Sequence, residues 1–193
     1  MIGIGGNIGA GKTTASNQFV KMGANYLSAD QIGWQVLPEI TPALKRRFGK
    51  KLMNRCDRID RKQLGQLVFK DPKAMRYLNR LSHPRLKAKI KKAIKNEKGV
   101  MILDAALLFQ WPDIMSKIDY PVLVTASTDI KARRAAKRGI SRARFDRIMR
   151  MQMRDTETVK MARYIAINCS SKEVLNDQCK KIYKEIINDR NMQ

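Results

Sequence analysis

Residues 6–13 read Gly6-Asn7-Ile8-Gly9-Ala10-Gly11-Lys12-Thr13 and match the pattern G-x-x-x-x-G-K-[ST] in full. The apolar residues 1–4 before the motif predict a short buried strand. Residues 14–22 after it carry apolar side chains at helical spacing and stop at Gly23, which predicts a helix. A strand, a glycine-rich loop and a helix in this order are the context in which the pattern binds phosphate groups.

Each residue type in the motif has a chemical reason. Glycines have no Cβ, so the backbone N–H groups around them can converge on phosphate oxygens. The following helix points its positive end at the same place, Lys12 supplies a cation, and the Thr13 hydroxyl suits Mg²⁺. We therefore predict a nucleoside triphosphate site with Thr13 as metal ligand, rather than a glycine-rich turn with a surface lysine. The predicted nucleotide-binding residues are Gly6, Gly9, Ala10, Gly11, Lys12, Thr13 and Thr14.

Charge is the second notable property of the chain. The net charge is +23 over 193 residues, and the excess lies in residues 45–62, 85–98 and 131–154. Such a field attracts polyanions, although solvated lysine faces are an equally good interpretation. Aromatic residues are sparse and do not alternate with the charges, so we expect nonspecific polyanion binding but no specific nucleic-acid partner.

Composition also bears on compartment. No apolar run is long enough to span a bilayer, and the N-terminus enters the first strand directly, so we expect neither a membrane segment nor a signal peptide. Cys56, Cys169 and Cys179 are few, odd in number and without metal-ligand spacing. We expect a cytoplasmic protein, while its oligomeric state stays open.

Short apolar segments predict four further strands. They occupy residues 25–28, 100–103, 121–125 and 164–167, and residues 172–187 form a final amphipathic helix. Such near-continuous apolar runs favour a parallel sheet that is covered by helices on both faces, which is an α/β fold.

The segment between the second and third strands is predicted to be helical. Asp60 can cap one helix, and Asp71 with Pro72 can open another. A third carries the apolar stripe Leu86, Ile90 and Ile94 among lysines. We expect this stripe to pack on the core rather than to bind a membrane or an acidic partner.

A set of short motifs resembles the dephospho-CoA kinase family. Beyond the loop, these motifs are Gly23-Ala24, Ser28-Ala29-Asp30, Asp60-Arg61, Val68-Phe69, His83-Pro84, Asp104 to Phe109, Arg147-Ile148 with Gln152, and Ile167-Asn168. The resemblance implies transfer of the γ-phosphoryl group of ATP to the ribose 3′-hydroxyl of dephospho-CoA, giving CoA and ADP. It also implies a three-layer P-loop kinase core with a five-stranded parallel sheet (about residues 1–30, 99–127 and 162–193), a helical CoA-binding insert (31–98) and a basic lid (128–161).

An alcohol acceptor has a high pKa, so a carboxylate is expected to take its proton. Asp30 follows the second strand and matches the second aspartate of the family's D-A-D segment; the alternative is a helix cap. Asp104 ends the third strand, where it would orient Mg²⁺, contact substrate or cap the strand.

Three cationic or titratable side chains complete the predicted site. Arg138 is our candidate for the lid arginine that stabilises the transferring phosphoryl group, with Arg134 and Arg142 as alternatives one turn away. By the resemblance, Arg61 binds the CoA phosphates and His83 contacts substrate. Because His83 precedes a proline, it can instead mark a helix start.

The chain departs from the family pattern at three places. Ser28 replaces an aspartate, Ala105-Ala106 replaces a pair ending in proline, and Gln110 replaces a glutamate. Apart from these departures, two other functions stay open: a kinase for another nucleotide or nucleoside, and a basic nucleic-acid-binding protein that uses nucleotide as a switch.

Overall fold

Five parallel strands lie at the centre of the computed structural model, which describes residues 1–96 and 99–192. The strands are β1 (Ile2–Gly5), β2 (Asn25–Ser28), β3 (Met101–Asp104), β4 (Tyr120–Thr125) and β5 (Tyr164–Ile167), in the order β2-β3-β1-β4-β5. The predicted α/β class with a five-stranded parallel sheet is confirmed. The predicted bounds of β2 and β5 are also those observed. Strands β1 and β3 lie one residue later than predicted, and β4 begins one residue earlier.

Helices account for most of the rest. They are α1 (Lys12–Lys21), α2 (Ala29–Phe48), α3 (Arg61–Lys70), α4 (Pro72–Asn96), α5 (Pro112–Met115), α6 (Thr128–Ala136), α7 (Arg142–Met151), α8 (Asp155–Thr158) and α9 (Lys172–Asn191). Across the two described ranges, no helix combines the length and the apolar character that crossing a bilayer requires.

Alternation along the strands determines what packs on each face of the sheet. Ile2 and Ile4 of β1 are fully buried in a cluster with Phe19 of α1 and with Leu175 and Ile186 of α9. The opposite face of β1 carries glycines at positions 3 and 5, against which Leu108, Phe109 and Ile118 pack. The sheet is therefore covered on both faces, as its apolar strands predict.

The chain divides into two compact units. One comprises Met1–Ser28 and Asn96–Gln193, as far as these are described, and the other comprises Ala29–Lys95. The first unit contains the whole sheet and the second contains α2, α3 and most of α4. The end of the predicted insert at residue 98 lies outside the described residues.

Side-chain contacts join the helices of the second unit. The Lys89 ammonium lies 2.9 Å from the Glu39 carboxylate and links α4 to α2. Phe48 and Tyr77 pack edge to face, with ring centroids 5.7 Å apart. Asp60 caps α3 as predicted, because its carboxylate accepts hydrogen bonds from the amides of Lys62 and Gln63. These amide bonds hold the pKa of the Asp60 carboxyl below its usual value.

Two predictions for this unit are wrong. His83 and Pro84 do not start a helix, and the Leu86 stripe does not lie on a separate helix, because α4 is continuous from Pro72 to Asn96. A proline inside a helix removes one N–H donor but leaves the chain helical when tertiary packing compensates. Leu86 and Ile90 supply such packing, since both are buried.

Candidate functional site

The glycine-rich loop leaves β1 at Gly5 and enters α1 at Lys12. Gly6, Gly9 and Gly11 all have positive φ, at 146°, 77° and 101°. Residues with a Cβ rarely adopt such conformations, so glycine is required at these points of the loop. The last of the three is the N-cap of α1 and turns the chain into the helix, where Lys12 and Thr13 form its first turn.

Close approach of the backbone is a second reason for these glycines. A Cβ on Gly6 would lie 2.1 Å from the carbonyl oxygen of Val124, and one on Gly9 would lie 2.4 Å from that of Lys131. The loop is therefore seated directly on the end of β4 and on α6. The motif predicts the loop's ligand, but its packing against α6 is visible only in the structure.

Residues 152–155, just before and at the start of α8, hold the first half of the loop. Asn7 is buried and donates through Nδ2 to the carboxylate of Asp155 at 2.8 Å and to the carbonyl of Met153 at 3.2 Å. The amide of Ile8 donates to Oε1 of Gln152 at 2.9 Å. These bonds fix the orientation of the loop before any ligand enters.

Asn168, which follows β5, holds the second half of the loop. Its Nδ2 donates to the carbonyl oxygen of Ala10 at 2.8 Å. Arg134 of α6 donates in turn to the backbone carbonyl of Asn168 at 3.0 Å and to its Oδ1 at 3.1 Å. The guanidinium of Arg134 is thus engaged by the protein, which distinguishes it from Arg138.

A cavity of about 320 Å³ opens beside the loop. It is lined by Gly11, Thr14, Arg134, Lys137, Arg138, Asn168, Lys172 and Leu175. Four of these side chains are cationic, and two of the residues belong to the predicted nucleotide site. The cationic lining suits an anionic ligand. Arg138 is exposed at its edge.

Asp104 lies in the same unit as the loop, at the end of β3 and in register with Ile4. Its carboxylate is buried and accepts hydrogen bonds from the hydroxyls of Ser16 and Tyr26, both at 3.2 Å. Ser16 is three residues after Thr13 on α1. The hydroxyl of Thr13 on α1 and the carboxylate of Asp104 at the end of β3 supply oxygen ligands of the kind that Mg²⁺ uses, together with substrate phosphates.

The remaining predicted residues belong to the second unit. Asp30 lies exposed in the first turn of α2. Since α2 begins one residue earlier, at Ala29, Asp30 is not its N-cap. His83 is half-buried, and desolvation, aided by the charge of Lys87, lowers its pKa. It is therefore a neutral imidazole at physiological pH.

Arg61 begins α3, and its guanidinium lies over the ring of Trp34, 4.4 Å from the centroid. Both side chains line a cavity of about 550 Å³ within this unit. Arg58 adds a second cation to its wall, and Leu37 and Pro38 add apolar surface. A wall of this kind fits a ligand that carries phosphate at one end and an apolar chain at the other.

A parallel sheet in the order β2-β3-β1-β4-β5, with a glycine loop that enters α1 from β1, defines a P-loop phosphotransferase fold. The chain belongs to the dephospho-CoA kinase family, whose model matches residues 1–173.

One curated relative and two solved structures are similar to this chain over nearly its whole length. The chain is 36% identical to a dephospho-CoA kinase from Aquifex aeolicus, over 97% of this chain and 98% of that protein. The crystal structure of TT1252 from Thermus thermophilus superposes with a TM-score of 0.78 at 29% identity, covering 95% and 96% of the two chains. A dephospho-CoA kinase structure from Campylobacter jejuni superposes with a TM-score of 0.64 at 24% identity, covering 96% of each chain, and shows the shared fold.

Sequence reasoning missed two residues at the loop. Lys131 was one cation within a basic stretch expected to be solvated or to bind phosphate, yet its side chain is only 2% exposed and pairs with Asp155. Asp155 belongs to none of the sequence motifs described above. Nothing in the local sequence distinguishes a buried lysine from its exposed neighbours, because its burial depends on contacts with distant segments.

Proposed function

We propose that this protein transfers the γ-phosphoryl group of ATP to the ribose 3′-hydroxyl of dephospho-CoA, giving CoA and ADP, the last step of coenzyme A synthesis. The observation that carries the proposal is the family match over residues 1–173, which includes a glycine loop whose three positive-φ glycines are seated on β4, α6 and Asn168. An anchored loop of this kind is suited to a triphosphate.

The nucleotide side of the site is assigned to the first unit. Gly6, Gly9, Ala10 and Gly11 cradle the phosphates with their backbone, Lys12 binds the β- and γ-phosphates, and Thr14 faces the cationic cavity. Thr13 and Asp104 would hold Mg²⁺, which supplies charge neutralisation on the phosphates when it is bound. Arg138 lines the cavity from within the segment that we assign as a lid (128–161), and it is our candidate for stabilising the transferring group.

The acceptor side is assigned to the helical unit. Asp30 takes the proton of the acceptor hydroxyl, because it is an exposed carboxylate two residues beyond the end of β2. Arg61 binds a phosphate of dephospho-CoA beside the Trp34 ring. His83, as a neutral imidazole, would contact substrate through a hydrogen bond rather than a charge. We assign the reaction to the cytoplasm, where the free thiols of Cys56, Cys169 and Cys179 would stay reduced.

Incubation with ATP, Mg²⁺ and dephospho-CoA tests the proposal. We expect ADP and CoA in equal amounts, with mass spectrometry placing the new phosphate on the ribose 3′ position. A panel of nucleosides and nucleoside monophosphates is the matched control, and their turnover without that of dephospho-CoA would overturn the acceptor assignment. Tight RNA binding at physiological salt that responds to ATP, without any phosphorylated product, would instead favour a nucleotide-switched nucleic-acid protein.

A further inference from the structure

We propose that Lys131 and Asp155 are positioning residues that hold the phosphate-binding loop in its ligand-ready conformation. Their hydrogen bonds and ion pair connect α6 to the loop. The inference deepens the proposed use of ATP and rests on it, but it concerns residues that the phosphate-loop motif does not contain.

The carboxylate of Asp155 connects three separate elements. Its Oδ1 accepts a hydrogen bond from Asn7 of the loop at 2.8 Å. Its Oδ2 accepts from the hydroxyl of Thr125, at the end of β4, at 2.7 Å and from the ammonium of Lys131, on α6, at 2.5 Å. One side chain thus fixes the relative position of the loop, the sheet and α6.

In the ion pair of Lys131 with Asp155, the more deeply buried lysine determines where the carboxylate lies. The Lys131 side chain is 2% exposed, whereas that of Asp155 is 30% exposed. A buried ammonium is tolerated only when it is paired, so Lys131 constrains where the Asp155 carboxylate lies. The backbone of Lys131 also supports the loop directly, since its carbonyl oxygen would lie 2.4 Å from a Cβ on Gly9.

A second connection runs from the same face of α6. Arg134, three residues after Lys131, holds Asn168, and Asn168 holds the carbonyl of Ala10. Lys131 therefore acts on the first half of the loop and Arg134 on the second half. A loop fixed at both halves has less conformational freedom to lose when a triphosphate binds, which increases affinity.

Arg138 lies in the turn directly after α6, where its amide donates to the carbonyl oxygen of Ala135 at 3.0 Å. It lines the cavity beside the loop. Any displacement of α6 that moves Arg138 is thus transmitted to the loop through Lys131 and Arg134. The geometry predicts that nucleotide affinity and the position of this arginine are coupled.

Two substitutions of Lys131 test the proposal on the full chain. Lys131→Met removes the charge and the donor but keeps the length of the side chain, whereas Lys131→Gln keeps a donor for Asp155. We expect Lys131→Met to weaken ATP binding about tenfold, the order found for coupled contacting groups, with the KM for dephospho-CoA unchanged. Lys131→Gln should restore most of the affinity.

Lys180→Met is the matched control, because Lys180 forms a 2.9 Å ion pair with Asp177 on the surface of α9. It should bind ATP as the wild type does. ATP affinity is measured by calorimetry without acceptor, so the result holds even if dephospho-CoA proves not to be the substrate. Unchanged ATP affinity in Lys131→Met, with only a lower melting temperature, would overturn the proposal.

Thr125→Val provides a second test in case Lys131→Met does not fold. The change is nearly isosteric and removes one donor to the Asp155 carboxylate. We expect a smaller loss of ATP affinity in the same direction. Wild-type affinity in a folded Thr125→Val protein would contradict the positioning role of Asp155.

Discussion

The side-chain amide of Asn168 donates a hydrogen bond to the carbonyl oxygen of Ala10, 158 residues away in sequence, across 2.8 Å. The same nitrogen lies 2.1 Å from the position that a Cβ on Gly11 would occupy. Asn168 is buried, so its amide cannot move aside into solvent. The end of β5 thus determines both the path of the loop and the requirement for glycine at position 11.

Gly11→Ala tests this contact. The added methyl group would clash with Asn168, and alanine disfavours the φ of 101° found here. We expect the free energy of unfolding to fall by about 1–3 kcal/mol and ATP affinity to fall with it. Gly33→Ala is the control, because Gly33 lies inside α2 with no atom within 4 Å of an added Cβ. The free energy of unfolding of Gly33→Ala should rise by about 0.5–1 kcal/mol, because alanine is more stable than glycine inside a helix. Equal behaviour of the two variants in urea unfolding would contradict the contact.

Lys12→Ala tests the assignment of the loop to the triphosphate. Removal of the cation should weaken ATP binding and lower kcat, because Lys12 interacts with the β- and γ-phosphates in both the ground and transition states. The KM for dephospho-CoA should stay unchanged. Lys21→Ala, at the exposed far end of α1, is the matched control and should behave as wild type. If Lys12→Ala bound ATP normally and changed only the KM for dephospho-CoA, the assignment would be contradicted.

Asp30→Asn tests the general base. The amide keeps the shape of the carboxylate but cannot take a proton, so kcat should fall by about 10² to 10⁴ while ATP affinity stays close to wild type. Glu39→Gln is the control on the same helix, since Glu39 pairs with Lys89 instead. Steady-state rates with saturating ATP should show a low kcat for Asp30→Asn and a normal kcat for Glu39→Gln. Near-normal turnover by Asp30→Asn would exclude Asp30 from this role.

Arg138→Met tests the choice among the lid arginines. Loss of one donor to the transferring phosphoryl group should reduce kcat by about 10² to 10³. Arg134→Met should chiefly weaken ATP binding and lower the melting temperature, because Arg134 holds Asn168. Arg133→Met, an exposed neighbour, serves as control. A kcat loss in Arg134→Met that exceeds that of Arg138→Met would reverse the assignment.

Asp189→Asn tests a pH-dependent contact between α9 and β4. The Tyr120 hydroxyl donates to Asp189 at 2.6 Å, and Arg163 lies 3.3 Å from the same carboxylate. These partners lower the pKa of Asp189 below its unfolded value of 3.8, the Tyr120 hydrogen bond being the larger cause. A lowered folded pKa gives stability that is present above pH 3.8 and is lost as pH falls through the folded pKa.

The difference in unfolding free energy between wild type and Asp189→Asn should therefore be constant above about pH 5 and shrink toward about pH 2. Urea unfolding across this range measures it. Asp177→Asn, at an exposed carboxylate of the same helix that pairs with Lys180, is the matched control. A difference that grows on acidification would contradict the contact.

Local patterns predicted most of the fold because they depend on few residues. Apolar runs located each strand, and the capping residue Asp60 located the start of α3. Prediction was wrong at His83 and Pro84, where packing of α4 overrides the local preference of proline. At the site, the motif located Lys12 and Thr13, whereas Asp155 carried no local signal at all.

The sequence by itself determined that this chain has a phosphate-binding loop between a strand and a helix, and that the rest of the chain follows the dephospho-CoA kinase pattern. Both rest on residue identity and short spacing, which are properties of the chain alone. Only the tertiary structure decided which side chains hold that loop. Burying the ammonium of Lys131 against Asp155 requires α6, α8 and the loop to meet, and no local stretch of sequence specifies such a meeting.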